Sequence, residues 1–509
     1  MDLKLTRVLI SDQADPSCKS ILEENGIKVD VKTGLSKEEL KKAVTEYDGL
    51  IVRSATKVTA DVINTPGCIL RIIGRAGTGV DNIDLDAATN QGIIVMNTPG
   101  GNTISAVELT CFMMGCMARS IPKADASMKA GRWDRKLFMG TELMGKTLFI
   151  VGLGKIGREV AIRMQSFGMR TIGYDPIIPA EAAAKFGVEV LSWDEMLATA
   201  DYMTLHTPLL PETRNLINEE NISKCKPGIK ILNCARGGII DEDALYRGLV
   251  SGHVSGAALD VYDVEPPKNE ALFKHENVIA TPHLGASTKE AQKRVAREIA
   301  EQFVDVVKGR PLVGVVNAPS LVHASSKHLV PYVSLAKKLG VVLASISKDK
   351  ALEMKLEGET ANKYKSLLVS SVLFGILMAR GIKDVNMVNA ECRAKENKIA
   401  LTITSCEQSS DKISLAARDI TLTGVPCHAT DIITNIDGID CNVSMGRCTL
   451  VVEAYTSRID LLQELSSKMG EKIENINFVK GRVFVGIQGE IQQEHLNSEK
   501  IGKFHLITY

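Results

Sequence analysis

Through the first ~310 residues, short apolar runs alternate with stretches in which apolar positions recur every three or four residues. Runs of four to eight apolar residues ending in Gly, Ser, Thr or Asp are the mark of buried parallel strands, and the intervening period is that of amphipathic helices. "RVLISD", "GLIVRS", "RIIGRAG" and "GIIVMNTPG" predict four such strands. "SKEELKKAVTEY" predicts a helix opened by a capping box of Ser36 and Glu39. A second set follows: "KTLFIVGLG", "RTIGYD", "DYMTLHTP", "IKILNCARGG", "SGAALDV" and "NVIATPH", then a long helix over 288–309 with Ser287 as its expected N-cap. This rhythm predicts a parallel α/β architecture in which the second set forms a domain inserted into a discontinuous first one. The breaker "NTPGGNT" (97–103) marks one crossing between them.

Beyond about residue 320 the pattern changes to helices mixed with alternating strands, hence α+β. The last stretch reads strand "TLVVEAY", helix "RIDLLQELSSKM", hairpin "NINFVKGRVFVGIQG", helix "EIQQEHLNSEKI" and strand "FHLITY", a βαββαβ order.

Composition narrows the function classes. Lys plus Arg and Asp plus Glu are each 61, a net charge of zero, which leaves no electrostatic case for a nucleic-acid or membrane-surface partner. The 11 cysteines include no C-x-x-C pair and are expected as reduced thiols in a cytoplasmic protein. The longest apolar segment, 367–380, is too short to span a bilayer.

The strongest chemical signal is Gly152, Gly154 and Gly157, a G-x-G-x-x-G that follows an apolar strand and opens a helix. Glycine there permits the turn, lets backbone approach a pyrophosphate and allows close helix–strand packing, with the helix N-terminus aimed at the anion. Asp175 ends the next strand, 18 residues past Gly157. A carboxylate in that place accepts hydrogen bonds from a ribose diol and repels a 2′-phosphate, so NAD is expected rather than NADP.

Arg236, Glu265 and His283 stand where later strands run into loops. Arginine holds a carboxylate in a planar fork, histidine takes a hydroxyl proton as hydride leaves, and a neighbouring carboxylate orients the ring. A zinc site is the rival for His283, but Pro282, Leu284 and Gly285 flank it and no metal is expected.

"GRAGTGVDNIDL", "VGLGKIGREVA", "NCARGGIIDEDAL", "ALDVYDVEPP" and "TPHLGAS" resemble the D-isomer-specific 2-hydroxyacid dehydrogenases. The fuller text of residues 5–320 is similar to their long, animal-like branch, which oxidises 3-phospho-D-glycerate to 3-phosphohydroxypyruvate at the entry to serine biosynthesis. The resemblance implies Arg236 on the substrate carboxylate, Glu265 supporting the histidine, and His283 as acid/base. It implies an NAD site lined by Thr78, Lys155, Ile156, Asp175, Thr207, Cys234, Ala235, Arg236, Asp260, His283, Leu284, Gly285 and Ala286. A phosphorylated hydroxy acid needs cations, and Arg53, Lys57 and Arg75 at strand ends supply them, with Asn102 near the carboxylate. Arg135 is expected to reach a neighbouring subunit's site in a homodimer or homotetramer.

The resemblance implies a doubly wound, Rossmann-like NAD-binding domain (99–284) inserted in a flavodoxin-like substrate-binding domain (1–98 with 285–318), then an additional, allosteric-substrate-binding-like α+β domain (321–445) and an ACT-like βαββαβ domain (446–509), in which "VEAYTSRIDLL" lacks the Pro-Gly helix start of relatives that bind serine. Two further readings stay open: another 2-hydroxyacid dehydrogenase or 2-oxo acid reductase, and a non-catalytic, NADH-sensing corepressor-like protein.

Overall fold

The computed structural model describes residues 4–427, 431–453, 457–496 and 501–509. Its contacts divide the chain into Pro99–Ala296 and a second unit made of the residues to Thr98 with those from Arg297 onward. The division falls inside the long helix Lys289–Val307.

In the first five-stranded sheet, β1 (Arg7–Ile10), β2 (Lys28–Val31), β3 (Gly49–Val52), β4 (Ile72–Arg75) and β5 (Ile94–Asn97) lie in the order 2-1-3-4-5, all parallel. That is the flavodoxin-like order. Because β3 is buried along its whole length, it reads as a continuous apolar run. By contrast β2, "KVDV", carries exposed Lys28 and Val31 at the sheet edge, and its mixed pattern concealed it in the sequence. Gly49 and Gly74 face Phe303 of the long helix, and a Cβ on Gly74 would lie 2.4 Å from that ring. Glycine here is what lets helix and sheet approach.

The Pro99–Ala296 unit holds β6 (Thr147–Val151), β7 (Arg170–Tyr174), β8 (Tyr202–Leu205), β9 (Ile229–Asn233), β10 (Val254–Leu259) and β11 (Val278–Ala280). Their order is 7-6-8-9-10-11, all parallel. Beyond β7 a single parallel bridge, Ile172 to Glu189, stands where a further edge strand would lie. The strand order reverses at β6, which makes its carboxyl end the switch point where ligands of such sheets bind. Val151 pairs with Tyr174 and Leu205, and Asn233 with Leu205 and Leu259, so the strand ends are level. Every loop that carries an expected cofactor residue of this unit leaves that one edge.

The third sheet, β12 (Ala351–Glu357), β13 (Ala400–Cys406), β14 (Lys412–Ala417), β15 (Ile420–Val425), β16 (Ile432–Ile436) and β17 (Ile439–Ser444), is antiparallel except for the β12–β13 pair. Helices Val330–Ile346 and Lys365–Ala379 pack on one another so closely that a Cβ on Gly375 would lie 2.1 Å from the Lys337 carbonyl. The apolar run at 367–380 is thus a buried core helix. No single described helix is long and apolar enough to cross a membrane.

The last sheet places β18 (Cys448–Val452), β19 (Ile473–Val479), β20 (Arg482–Ile487) and β21 (Phe504–Thr508) in the order 19-20-18-21. The expected helix after the hairpin is, among described residues, only a 3-10 turn at Gln493–Leu496. Of "VEAYTSRIDLL" (452–462), on which serine binding was judged, residues 454–456 lie outside the described ones.

Candidate active site

Gly152 ends β6 in the left-handed region, with φ 96°, and a Cβ there would meet the His206 carbonyl at 2.6 Å. Gly157 sits so close to Gly152 that a Cβ would lie 2.0 Å from its carbonyl oxygen. Gly154 has open space on its Cβ side and precedes the helix Lys155–Gln165, whose first N–H groups are free of intrahelical partners. Two glycines therefore close the turn, and the middle one leaves room for an anion's approach. Asp175 accepts from Leu153 N–H at 2.8 Å and from Ile177 N–H at 2.8 Å. Its partly exposed carboxylate thus stands beside the cradle, as the motif requires. Lys155 Nζ reaches the Pro99 carbonyl at 3.3 Å, and Ile156 is packed against the core of this unit. Thr207, after β8, holds a buried hydroxyl with no hydrogen-bond partner among the described residues. An orphaned hydroxyl at the switch-point edge, with the open Gly154, fits a bound dinucleotide.

The second part of the site is built on β9, β10 and β11. Buried Asn233 accepts from Ala235 N–H at 3.0 Å and donates to the Arg236 carbonyl at 2.8 Å, which fixes the turn Cys234–Arg236. Burial pushes the Cys234 thiol up to about 12, so it lines the edge as a protonated, unreactive group. Gly237 follows, and a Cβ on it would lie 1.7 Å from the Tyr262 carbonyl. Only glycine lets the loop that bears Arg236 press against the loop that bears Glu265.

His283 closes the constellation. Its Nδ1 lies 2.8 Å from Glu265 Oε2 and 3.0 Å from Oε1. An ionised carboxylate only accepts, so Nδ1 carries the proton and Nε2 presents its lone pair away from Glu265. The side chains are 45% and 40% exposed, which leaves the ring reachable by a substrate. The Glu265 hydrogen bond raises the His283 imidazole above its ordinary value; burial opposes this, while Glu265 and Asp260 charge adds to it and Arg236 subtracts. For Glu265, burial acts upward, but the hydrogen bond and charge of His283 outweigh it and hold the carboxyl below its ordinary range.

His283 has φ 54°, a left-handed conformation unusual outside glycine. Asp260, fully buried, supplies what holds it there: Oδ1 accepts from Leu284 N–H at 2.7 Å and from Thr281 Oγ1 at 2.6 Å, and Oδ2 from Gly285 N–H at 2.8 Å. Tyr262 ties the same loops, its hydroxyl donating to the Thr281 carbonyl at 3.1 Å. Asn233, Tyr262 and Thr281 were not singled out in the sequence; a polar residue at the end of an apolar strand was their only signal. The helix after Ala286 is capped by Thr288, whose Oγ1 accepts from Ala291 N–H at 3.1 Å, and not by Ser287. Thr288 takes the role because the helix begins one residue later than expected, at Lys289.

In the other unit, Val52 pairs with Arg75 and Arg75 with Asn97, so Arg53, Lys57, Arg75 and Thr78 gather at the carboxyl ends of adjacent parallel strands. Asp12 accepts from the Arg53 backbone N–H at 2.5 Å, and the Arg53 guanidinium donates to the Gln13 carbonyl at 3.0 Å. Burial pulls the Arg53 guanidinium below its ordinary value, offset in part by Asp12. The Arg75 guanidinium packs over Gly77, where a Cβ would lie 1.9 Å from its Nη1. Thr78 is held by Asn97 Nδ2, which donates to its carbonyl at 2.5 Å. Asn102 precedes the helix Thr103–Arg119, and Arg135 is exposed on a 3-10 turn of the nucleotide unit.

A glycine cradle, a carboxylate at the second strand and a His–Glu pair beside an arginine define a nicotinamide-dependent dehydrogenase. The model of the "D-isomer specific 2-hydroxyacid dehydrogenase, NAD binding domain" matches residues 111–285, and that of the "D-3-phosphoglycerate dehydrogenase intervening domain" matches 328–421. The chain belongs to the D-3-phosphoglycerate dehydrogenase family and binds NAD. It is 53% identical over 437 residues to the D-3-phosphoglycerate dehydrogenase of Pongo abelii, covering 84% of this chain and 81% of that one. The enzyme of that name from Methanocaldococcus jannaschii is 43% identical, over 86% and 84%. Among solved structures, D-lactate dehydrogenase from Aquifex aeolicus, complexed with NAD and lactic acid, matches at 28% identity and a TM-score of 0.53. That match covers 60% of this chain and 96% of the other.

Proposed function

We propose that the protein oxidises 3-phospho-D-glycerate to 3-phosphohydroxypyruvate with NAD, with His283 as acid/base. NAD, when bound, accepts the hydride from the carbon bearing the hydroxyl. His283 takes the hydroxyl proton at Nε2, and Glu265 stabilises the imidazolium that results. The Arg236 fork holds the carboxylate in two parallel hydrogen bonds, aided by Asn102. Arg53, Lys57 and Arg75 take the phosphate, a group that an unphosphorylated hydroxy acid lacks. Asp260 acts as a positioning residue for the His283 turn. The observation that carries the reading is the His283–Glu265 pair at 2.8 Å with its Nε2 unclaimed by Glu265. Replacing His283 with Ala tests it: turnover falls by roughly 100- to 10,000-fold, the contribution of a positioned acid/base group.

The protein acts as a homo-oligomer in the cytoplasm. Phe112, Ile121, Met128, Trp133, Leu137 and Met139 are 52–86% exposed along one segment, more apolar surface than a free chain keeps in water. Arg135 stands in that segment and reaches the phosphate of a neighbouring copy. Free cysteines fit a reducing compartment.

A further inference from the structure

At the amino-terminal ends of β9 and β10, opposite the edge that carries Arg236, Glu265 and His283, the nucleotide unit holds a cavity of about 350 Å³. The helices Thr103–Arg119 and Ile121–Lys129 meet there at Ser120, which takes φ 50°, and the chain bends by 65° between them. The segment through Gly140 closes in behind the bend. A Cβ on Gly140 would lie 2.3 Å from the Ala118 carbonyl, which accepts from Thr141 N–H at 3.0 Å. Lys123 Nζ donates to Asn277 Oδ1 at 2.9 Å and ties the second helix to the turn before β11. Side chains and backbone thus fix the concavity, and its volume suits a small ligand.

The lining divides by chemistry. Met117, Val278 and Ile279 give it an apolar wall, with the exposed Met139 at its rim. Two lysines also line it, and they differ in their surroundings. Lys123 is met by Asn277 and, at 3.9 Å, by Glu276. Lys230 lies with its ammonium 5.2 Å from the centre of the Tyr202 ring, and among the described residues no carboxylate stands within ion-pair distance of it. Asp201, whose charge reaches Lys230, is already engaged: its oxygens accept from Lys226 Nζ at 2.8 Å and from Thr147 N–H at 2.9 Å. Burial and the charge of Lys146 pull the Lys230 ammonium below its ordinary value, with Asp201 in opposition. A half-buried cation without a counter-charge, set beside an apolar wall, matches a ligand that has both characters. We propose that this cavity binds an amphipathic monocarboxylate, with its carboxylate on Lys230 and its aliphatic or aromatic body against Met117, Val278 and Ile279. Such a ligand differs from the phosphorylated hydroxy acid of the catalytic edge, which has no apolar body.

The test is equilibrium dialysis of the full chain against radiolabelled octanoate, and against octanamide as a neutral analogue of the same length. Ionic strength is held constant and NADH is kept saturating, so that the cofactor edge is occupied. Octanoate is expected to bind saturably at a single site per chain. Octanamide binds roughly tenfold more weakly or worse, having lost one charge-assisted contact. Lys230→Met weakens octanoate to the level of octanamide and leaves NADH binding unchanged, because Lys230 stands at the opposite ends of the strands. The comparison of octanoate with octanamide uses the native chain alone and so holds whether or not the variant folds. The proposal fails if the two probes bind alike, or if a folded Lys230→Met variant binds octanoate as the native chain does. It fails too if octanoate does not bind at all, the result expected of a cavity filled by a neighbouring copy of the chain.

Discussion

At the scale of the residue, the decisive contact is the one from His283 Nδ1 to Glu265. A raised imidazole is a base only above its raised pKa, so in the oxidising direction kcat/KM climbs as pH rises through that value. Glu265→Gln removes the main cause of the rise. The prediction is a pH–rate limb moved to lower pH together with a lower plateau, read from initial rates at fixed NAD; an unmoved limb assigns the titration to another group. Arg236→Lys keeps the charge and loses the fork, at a cost of about 1.5–3 kcal/mol, roughly ten- to a hundredfold in kcat/KM. Neutralising Arg53 and Arg75 weakens a phosphorylated substrate far more than an unphosphorylated one such as glycerate. Equal losses on both substrates would place these arginines away from the phosphate. Much at this scale was legible beforehand: His283, Glu265 and Arg236 stood out because each sits in a loop after an apolar run. The residues that hold them did not. Asn233 holds its own turn through the Ala235 N–H and the Arg236 carbonyl, and Asp260 binds backbone N–H groups 24 and 25 residues away, partners that exist only once strands are aligned.

At the scale of the element, parallel strands announce themselves because both faces are buried, as in "TLFIV" and "YMTL". The edge strand β2 and the single bridge at Glu189 did not, since at the sheet's margin the faces are only partly covered and polar residues such as Lys28 and Asp30 are tolerated. Of the helix expected over 490–501, the described residues hold a 3-10 turn at Gln493–Leu496, whose Leu496 joins Ile501 in the core of the last sheet. Glycines give the sharpest test at this level. Gly237→Ala places a methyl 1.7 Å from the Tyr262 carbonyl and forces apart the loops that carry Arg236 and Glu265. The expected outcome is a folded protein that still binds NADH, seen by fluorescence titration, with turnover lost. Normal turnover would show that the two loops need not touch.

At the scale of the whole molecule, cofactor and substrate are small anions, a dinucleotide and a phosphorylated acid, met by local cations on a chain whose net charge is zero. Assembly belongs to this scale too. Leu137→Asp with Met139→Asp places charge on the exposed apolar segment, and sedimentation equilibrium is expected to move from a multiple of the chain mass toward the single chain. An unchanged mass would put the interface elsewhere.

The central claim is that His283 performs proton transfer in NAD-dependent oxidation of 3-phospho-D-glycerate. The most direct measurement is the initial rate of NADH formation at 340 nm with this substrate, for the native chain and for His283→Ala, with NADH binding measured on both. Turnover by the native chain and a loss of roughly 100- to 10,000-fold in a variant that still binds NADH are the expected results. A variant that oxidises the substrate at the native rate, or a native chain that leaves NAD unreduced, would contradict it.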